Sequence, residues 1–149
     1  MALLWLAIVA ASVGCGSSKP PGHSSPVPSG RPVGHAVVTA EFGEQRGGGR
    51  HEGIDLAAPK GTPVWVTADG EVVFAGRDRR YGRTVVVDHG GGYATRYAHL
   101  KEIETRVGKR VRRGDVIGRV GSSGRASGPH LHYEVLRNGV PVDPRPYLD

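Results

Sequence analysis

Gly128-Pro129-His130-Leu131-His132-Tyr133-Glu134-Val135 is the stretch from which the rest of the chain is read. Gly128-Pro129 ends a loop and the residues after it form a strand. Side chains alternate across a strand, so His130, His132 and Glu134 share one face. Leu131, Tyr133 and Val135 share the other and can pack. The two imidazoles stand two strand rises apart, roughly 6.6 Å. That spacing suits two metal ligands, or one ligand beside an acid/base group. An isolated His-x-His is ordinarily a pair of surface histidines. Upstream, however, His51-Glu52-Gly53-Ile54-Asp55 supplies a further imidazole and a carboxylate.

Working outward, the same strand character recurs. Glycine is abundant, at 24 of 149 residues, while aromatic residues make up only 6%, and no window sustains a helical period. Short strands are expected at residues 36–42, 63–67, 71–75, 84–88, 93–100, 106–111, 116–120 and 130–136. Ala68-Asp69-Gly70 reads as a hairpin turn between the second and third, with glycine free to take positive φ. Gly43 to Arg50 reads as a polar, glycine-rich loop that delivers His51. Short, evenly spaced strands with glycine turns predict an all-β antiparallel sandwich or partly closed barrel. Gly121-Ser122-Ser123-Gly124 opens no helix and is not read as a phosphate loop.

Zinc accepts imidazole nitrogen and carboxylate oxygen, and its catalytic sites use three protein ligands with one position open to water. His51, Asp55 and one of His130 or His132 make such a set; spacing alone leaves the choice between the last two open. The remaining histidine of the pair and His99, in Tyr97-Ala98-His99-Leu100, are left for proton transfer. His51-Glu52 begins like the helical His-Glu-x-x-His zinc motif. Position 55 is Asp, however, and Gly53 weakens a helix, so Glu52 is read as an exposed neighbour. Glu134 is either a hydrogen-bond partner of His132 or a plain surface carboxylate. His35 and His89 are given structural roles, and His23 a place in solvent.

His51-x-x-x-Asp55, Tyr97-Ala98-His99-Leu100 and His130-x-His132 together resemble the lysostaphin-type zinc metallopeptidases. The likeness extends through GIDLAAPKGTPV, ADGEVV, VVVDHGGGYATRYAHL, GDVIGRVGSSG and SGPHLHYEV, across most of residues 36–147. It implies a β fold related to the barrel-sandwich (lipoyl and biotinyl) domains. It further implies endopeptidase action on the peptide bridges or cross-links of peptidoglycan, with zinc held by His51, Asp55 and His132. His99 and His130 would then be the catalytic pair. The short Gly43–Arg50 loop departs from many relatives and bears on groove shape.

Residues 2–11, ALLWLAIVAA, are an apolar run too short to span a bilayer. It has the length of a signal-peptide core. The run leads to Ser12-Val13-Gly14-Cys15 and resembles a bacterial lipoprotein signal, which implies lipidation at Cys15. No Lys or Arg precedes it, and Ser12 stands where such signals usually carry Leu. Residues 16–35 are Gly, Ser and Pro with little apolar content and read as a disordered tether, leaving 36–149 as the catalytic domain. The expected location is exported and membrane-anchored, facing the wall (the outer membrane in a Gram-negative host), with ordinary secretion as the alternative.

The net charge of +6 and pI near 9.9 point to anionic partners. Lys109, Arg110, Arg112 and Arg113 are the densest cluster and read as a solvated edge. Few aromatics are interleaved with the charge, which argues against nucleic acid. Two other classes compete. A non-catalytic wall-binding or amidase-activating module of the same fold would lack some of the five site residues. A lipoyl-type carrier, suggested by Gly114-Asp115-Val116-Ile117-Gly118, needs a modifiable lysine at a hairpin tip, which neither Lys60 nor Lys109 provides.

Overall fold

The computed structural model describes residues 25–149. The apolar run, Cys15 and the first part of the expected tether therefore lie outside the described residues. The strands are β1 (Val37–Ala40), β2 (Gln45–Arg46), β3 (Gly49–Arg50), β4 (Ile54–Ala57), β5 (Pro63–Trp65), β6 (Gly70–Asp78), β7 (Gly82–Gly90), β8 (Tyr93–Ile103), β9 (Arg110–Val111), β10 (Val116–Val120), β11 (His130–Arg137) and β12 (Val140–Val142). A 3-10 turn, Arg145–Tyr147, follows. All strand pairings among the described residues are antiparallel. The main sheet runs β1-β4-β11-β8-β7-β6-β9, with β10 pairing both β5 and β8 and β12 on β11. The all-β antiparallel expectation holds. No described helix is long and apolar enough to cross a membrane.

β11 alternates as its sequence dictates. Leu131, Tyr133 and Val135 are fully buried in the apolar core, joined by Ile54 and Leu56 of β4, Val85 and Val87 of β7 and Tyr97 and Leu100 of β8. Each such side chain contributes about 1.5–3 kcal/mol by leaving water. A polar chain threads this core. Thr67 Oγ1 lies 2.7 Å from Tyr133 OH, Thr67 N–H donates to Tyr97 OH at 3.1 Å, and Tyr97 OH lies 2.8 Å from Thr95 Oγ1. Thr95 Oγ1 in turn lies 2.8 Å from Nε2 of His89, whose Nδ1–H donates to the Asp69 carbonyl at 2.8 Å. Burial without these partners would cost each hydroxyl a kilocalorie or more. His89 is thus structural, as expected.

β8 carries the fold's pivot. Its first half pairs with β11 (Tyr93↔Arg137 to Ala98↔His132), and its second half pairs with β10 (Leu100↔Val120 to Ile103↔Gly118). The sheet forks where one partner replaces the other. At the fork Arg83 of β7 opposes Leu100 while Val85 opposes Tyr97, so β8 carries one extra residue, a β-bulge. His99 lies in the bulge, with φ of +60°.

Three expectations differ from the structure. Ala68-Asp69-Gly70 is no hairpin: β5 pairs with β10 and β6 with β7 and β9, so this turn carries the chain from one part of the sheet to another. Of residues 106–111 only Arg110–Val111 are extended, because Gly108, with φ of +88°, folds the preceding residues into a turn. The tether expectation stops short of residue 35. Ser29 N–H donates to the Thr67 carbonyl, Gly30 N–H to the Tyr147 carbonyl, and the Pro32 carbonyl accepts from Trp65 N–H. Val33 is fully buried. Buried Pro28, Pro32 and Val33 and these backbone bonds fix a strap whose composition alone looks unstructured.

Candidate functional site

The site lies in the fork between β4, β8 and β11. The register pairs His132 directly with Asp55 and His130 with Ala57. Same-face neighbours on paired strands are about 5 Å apart at Cβ, so His132 meets Asp55 while His130 stands one step along. His51 comes from the segment just before β4. Its backbone is tied to the preceding loop by Gly43 N–H to the His51 carbonyl at 2.8 Å and His51 N–H to the Glu44 carbonyl at 2.9 Å. Between them lies the short ribbon of β2 and β3, where the sequence suggested a plain loop. Gly53 is required: a Cβ there would sit 2.4 Å from the Tyr133 carbonyl oxygen and 3.0 Å from His132 Cε1.

His51 Nε2, Asp55 Oδ1 and His132 Nδ1 converge, at 3.1, 3.1 and 3.0 Å from one another. Zinc with ligands at about 2.0–2.1 Å in a tetrahedron sets neighbouring ligand atoms about 3.3–3.4 Å apart, close to this triangle. The tautomers agree. His51 Nδ1–H donates to the Glu41 carbonyl at 2.8 Å, and His132 Nε2–H donates to Glu134 Oε1 at 2.8 Å. Each ring therefore turns a bare nitrogen toward Asp55. Two imidazole lone pairs and a carboxylate oxygen facing one another, all buried, repel unless a cation joins them. The site also draws positive charge. Burial alone would lower the His132 pKa, yet the Asp55 and Glu134 carboxylates outweigh it and raise it. Burial would raise the Asp55 carboxyl, but Arg46 and, whenever a proton stands in for the cation on the facing nitrogen of either ring, His132 and His51 hold it far below the usual range. These three residues could hold a metal ion.

Around them stands a supporting layer. Glu134 is fully buried and accepts from Arg96 Nη1 at 2.7 Å as well as from His132, which decides between its two sequence readings. Burial would raise its pKa, but His132 and Arg96 outweigh that and lower it. Arg46 Nη2 donates to Asp55 Oδ2 at 2.9 Å, the oxygen turned away from the triangle. The Tyr81 ring stacks on His132 with centroids 5.1 Å apart, and its hydroxyl donates to Glu52 Oε2 at 3.0 Å. Glu52, half-exposed, is thus a partner of Tyr81, outside the triangle.

His99 and His130 come together, with ring centroids 4.9 Å apart. His99 Nδ1–H donates to the Ser123 carbonyl at 2.7 Å, and its backbone N–H to the Tyr81 carbonyl at 2.7 Å. Nε2 is left bare toward the groove. Burial pushes this imidazole down to about 4, with the His130 and His132 rings adding to the effect, so it is neutral at pH 7. His130 Nδ1–H donates to the Gly128 carbonyl at 2.8 Å and its Nε2 lies 3.8 Å from Asp55 Oδ1. All five residues singled out from the sequence therefore lie together. His35 is exposed and distant in role.

Sequence reasoning missed Arg46, Tyr81, Arg96 and Ser123. The first three act through contacts their local sequence does not encode. For Ser123 there was a signal. Gly82 and Gly124 approach so closely that a Cβ on Gly124 would lie 2.4 Å from Gly82 N, which places Ser123 against His99.

A family model described as Peptidase family M23 matches residues 49–144. The chain belongs to peptidase family M23. The lysostaphin-type resemblance of the motifs is thereby borne out. A DD-carboxypeptidase/endopeptidase of Neisseria meningitidis is 54% identical over 63% of this chain and 22% of its own length. A peptidoglycan DD-endopeptidase of Vibrio cholerae is 47% identical over 62% of this chain and 22% of its own length. A crystal structure of a zinc-containing peptidase from Vibrio cholerae superposes with a TM-score of 0.74 at 36% identity, over 78% of this chain and 39% of that one. The chain matches about a fifth of the length of the curated relatives.

Proposed function

We propose that this M23 domain is a zinc endopeptidase that hydrolyses peptide cross-links or bridges of bacterial peptidoglycan. The observation that carries the reading is the convergence of His51 Nε2, Asp55 Oδ1 and His132 Nδ1 within 3.1 Å of one another, with two further imidazoles beside them. The substrate class is supported by the DD-endopeptidase relatives. His51, Asp55 and His132 are assigned as ligands, and His99 and His130 as catalytic.

When bound, zinc supplies a Lewis acid and lowers the pKa of water toward about 7. The chain does the rest. Glu41 and Glu134 fix the His51 and His132 tautomers so that the ligand nitrogens stay unprotonated. Neutral His99 presents bare Nε2 as the proton acceptor. His130, one strand step from Asp55, faces the same space; with a second proton on Nε2 beside its Nδ1–H it donates toward the oxyanion, and the proton that His99 Nε2 has taken goes on to the leaving amine. The Ser123 and Gly128 carbonyls hold the two rings by their Nδ1–H groups, so each turns Nε2 into the groove.

Digestion of defined cross-linked muropeptides by the zinc-loaded domain, with product masses measured, tests the reading. Cleavage at a cross-link amide that stops on chelation is expected; intact substrate with a fully loaded site would refute it. We further propose export to the cell wall with lipidation at Cys15 as a membrane anchor, supported by the apolar run that precedes this cysteine. Fractionation of cells expressing the full chain or Cys15→Ala tests it: the variant should leave the membrane fraction, and identical partitioning would replace anchoring with secretion.

A further inference from the structure

The cavity of about 330 Å³ in front of the ligand triangle is lined by four arginines, Arg46, Arg50, Arg80 and Arg125. Two of them are occupied. Arg46 holds Asp55 Oδ2 at 2.9 Å, and Arg80 lies over the Tyr81 ring at 5.1 Å and 3.9 Å from Glu52 Oε2. Arg50 and Arg125 are different. Both are exposed, and neither guanidinium makes a hydrogen bond or ion pair among the described residues. Arg50 comes from β3, on the ribbon that delivers His51. Arg125 comes from the loop that holds His99, and it also lines the adjoining hollow beside Asp55, Ser127 and His130. The two cations therefore line one hollow from separate segments of the chain, and Arg125 also borders the hollow beyond it.

A guanidinium left without a partner on a concave wall is a ready fork for a carboxylate, which it binds through two parallel N–H···O bonds. Four arginines around one hollow, faced by Glu52 and by Asp55 within the triangle, also focus positive potential on whatever enters. We propose that Arg50 and Arg125 read a free carboxylate on the substrate next to the amide to be cut. This rests on the endopeptidase reading and sharpens it. The domain prefers cross-links whose diamino acid keeps its carboxylate over the same cross-links bearing a carboxamide there. Neutral bridges without a carboxylate fall with the disfavoured class.

The test uses two cross-linked muropeptides that differ only in carboxylate versus carboxamide at the diamino acid, given to the zinc-loaded protein and to Arg50→Gln, Arg125→Gln and the double variant. Binding of the corresponding uncross-linked peptides is measured alongside by calorimetry. Zinc content and thermal midpoint establish that each variant is folded and loaded. A charge-assisted pair sets the expected preference at about tenfold to a hundredfold in kcat/KM. It should appear mainly in KM, shrink as salt is raised and collapse in the double variant toward a ratio of one. Equal kcat/KM for the two substrates in the unmodified protein overturns the proposal, as does a double variant that keeps the preference. If neither substrate is cut, the endopeptidase reading is lost. The arginine pair then stands or falls on binding: tighter binding of the carboxylate peptide supports it and equal binding overturns it.

Discussion

Replacing Glu134 with Gln removes one charge and almost no volume from a fully buried position. The carboxylate uses both oxygens as acceptors, Oε1 for His132 Nε2–H at 2.8 Å and Oε2 for Arg96 Nη1–H at 2.7 Å. A carboxamide has one acceptor and one donor. If its oxygen faces Arg96, its NH₂ faces His132, and the ring is satisfied only by carrying its proton on Nδ1 instead. Nδ1 is the nitrogen that points into the triangle, so this tautomer blocks a ligand. If the oxygen faces His132, the NH₂ meets the guanidinium donor to donor, and the partly buried Arg96 loses its counter-charge. Partners behind a ligating histidine are typically worth 10–100-fold in metal affinity. Glu134→Gln is expected to weaken zinc binding by that factor, and Glu134→Ala at least as much, with further loss of stability from the unpaired Arg96. Competition with a chromophoric chelator gives the affinity, and urea unfolding of the metal-free and loaded forms gives the stability. Zinc affinity within twofold of the unmodified protein would refute the tautomer argument and leave Glu134 a structural ion pair.

Other expected outcomes follow from the same geometry. His99→Ala and His130→Ala should each retain one zinc by elemental analysis while lowering turnover about 10² to 10⁴-fold; near-normal turnover in both would leave the pair without a catalytic role. Gly53→Ala drives a methyl to 2.4 Å from the Tyr133 carbonyl and should cost about 1–3 kcal/mol in urea unfolding while weakening zinc, because β4 must move from β11. His89 is held neutral by burial, its pKa lowered from 6.5. Its contribution is therefore complete above pH 6.5 and is lost as pH falls from there through the folded value, since only the unfolded chain takes the proton readily. Metal-free His89→Gln should be less stable at pH 7.5 yet decline more shallowly below 6.5, and parallel profiles would assign the titration elsewhere.

The two clusters, His51 to Asp55 and His130 to His132, were legible because strand alternation fixes which side chains share a face. The choice of His132 over His130 was not legible from spacing. It depends on β11 meeting β4 with His132 opposite Asp55, and register is a property of two strands at once. His99 left a fainter mark. Tyr97 and Leu100 are both core residues three apart, which breaks the two-residue period and signals an inserted residue between them. Arg46, Tyr81 and Arg96 were invisible because each reaches a site residue through the fold. The strap was misread for the opposite reason: its Pro, Gly and Ser content is that of a loose segment, yet buried Pro28, Pro32 and Val33 and its bonds to the domain tie it down.

That strap also decides how the domain bears load. Ser29 and Gly30 are bonded to Thr67 and Tyr147, and Tyr147 packs on Tyr93, which pairs with Arg137 at the far end of β11 from His130. Eight residues of strand put about 23 Å between that end and the groove. Ser29, Gly30 and Asp149 thus lie together at the pole opposite the groove. Tension applied between the strap and Asp149 opens the Ser29 and Gly30 bonds one after another, like a zip, and reaches the strap before β4, β8 and β11. The groove lies off that line, so a pull on the strap is spent on these bonds before it reaches His51, Asp55 and His132.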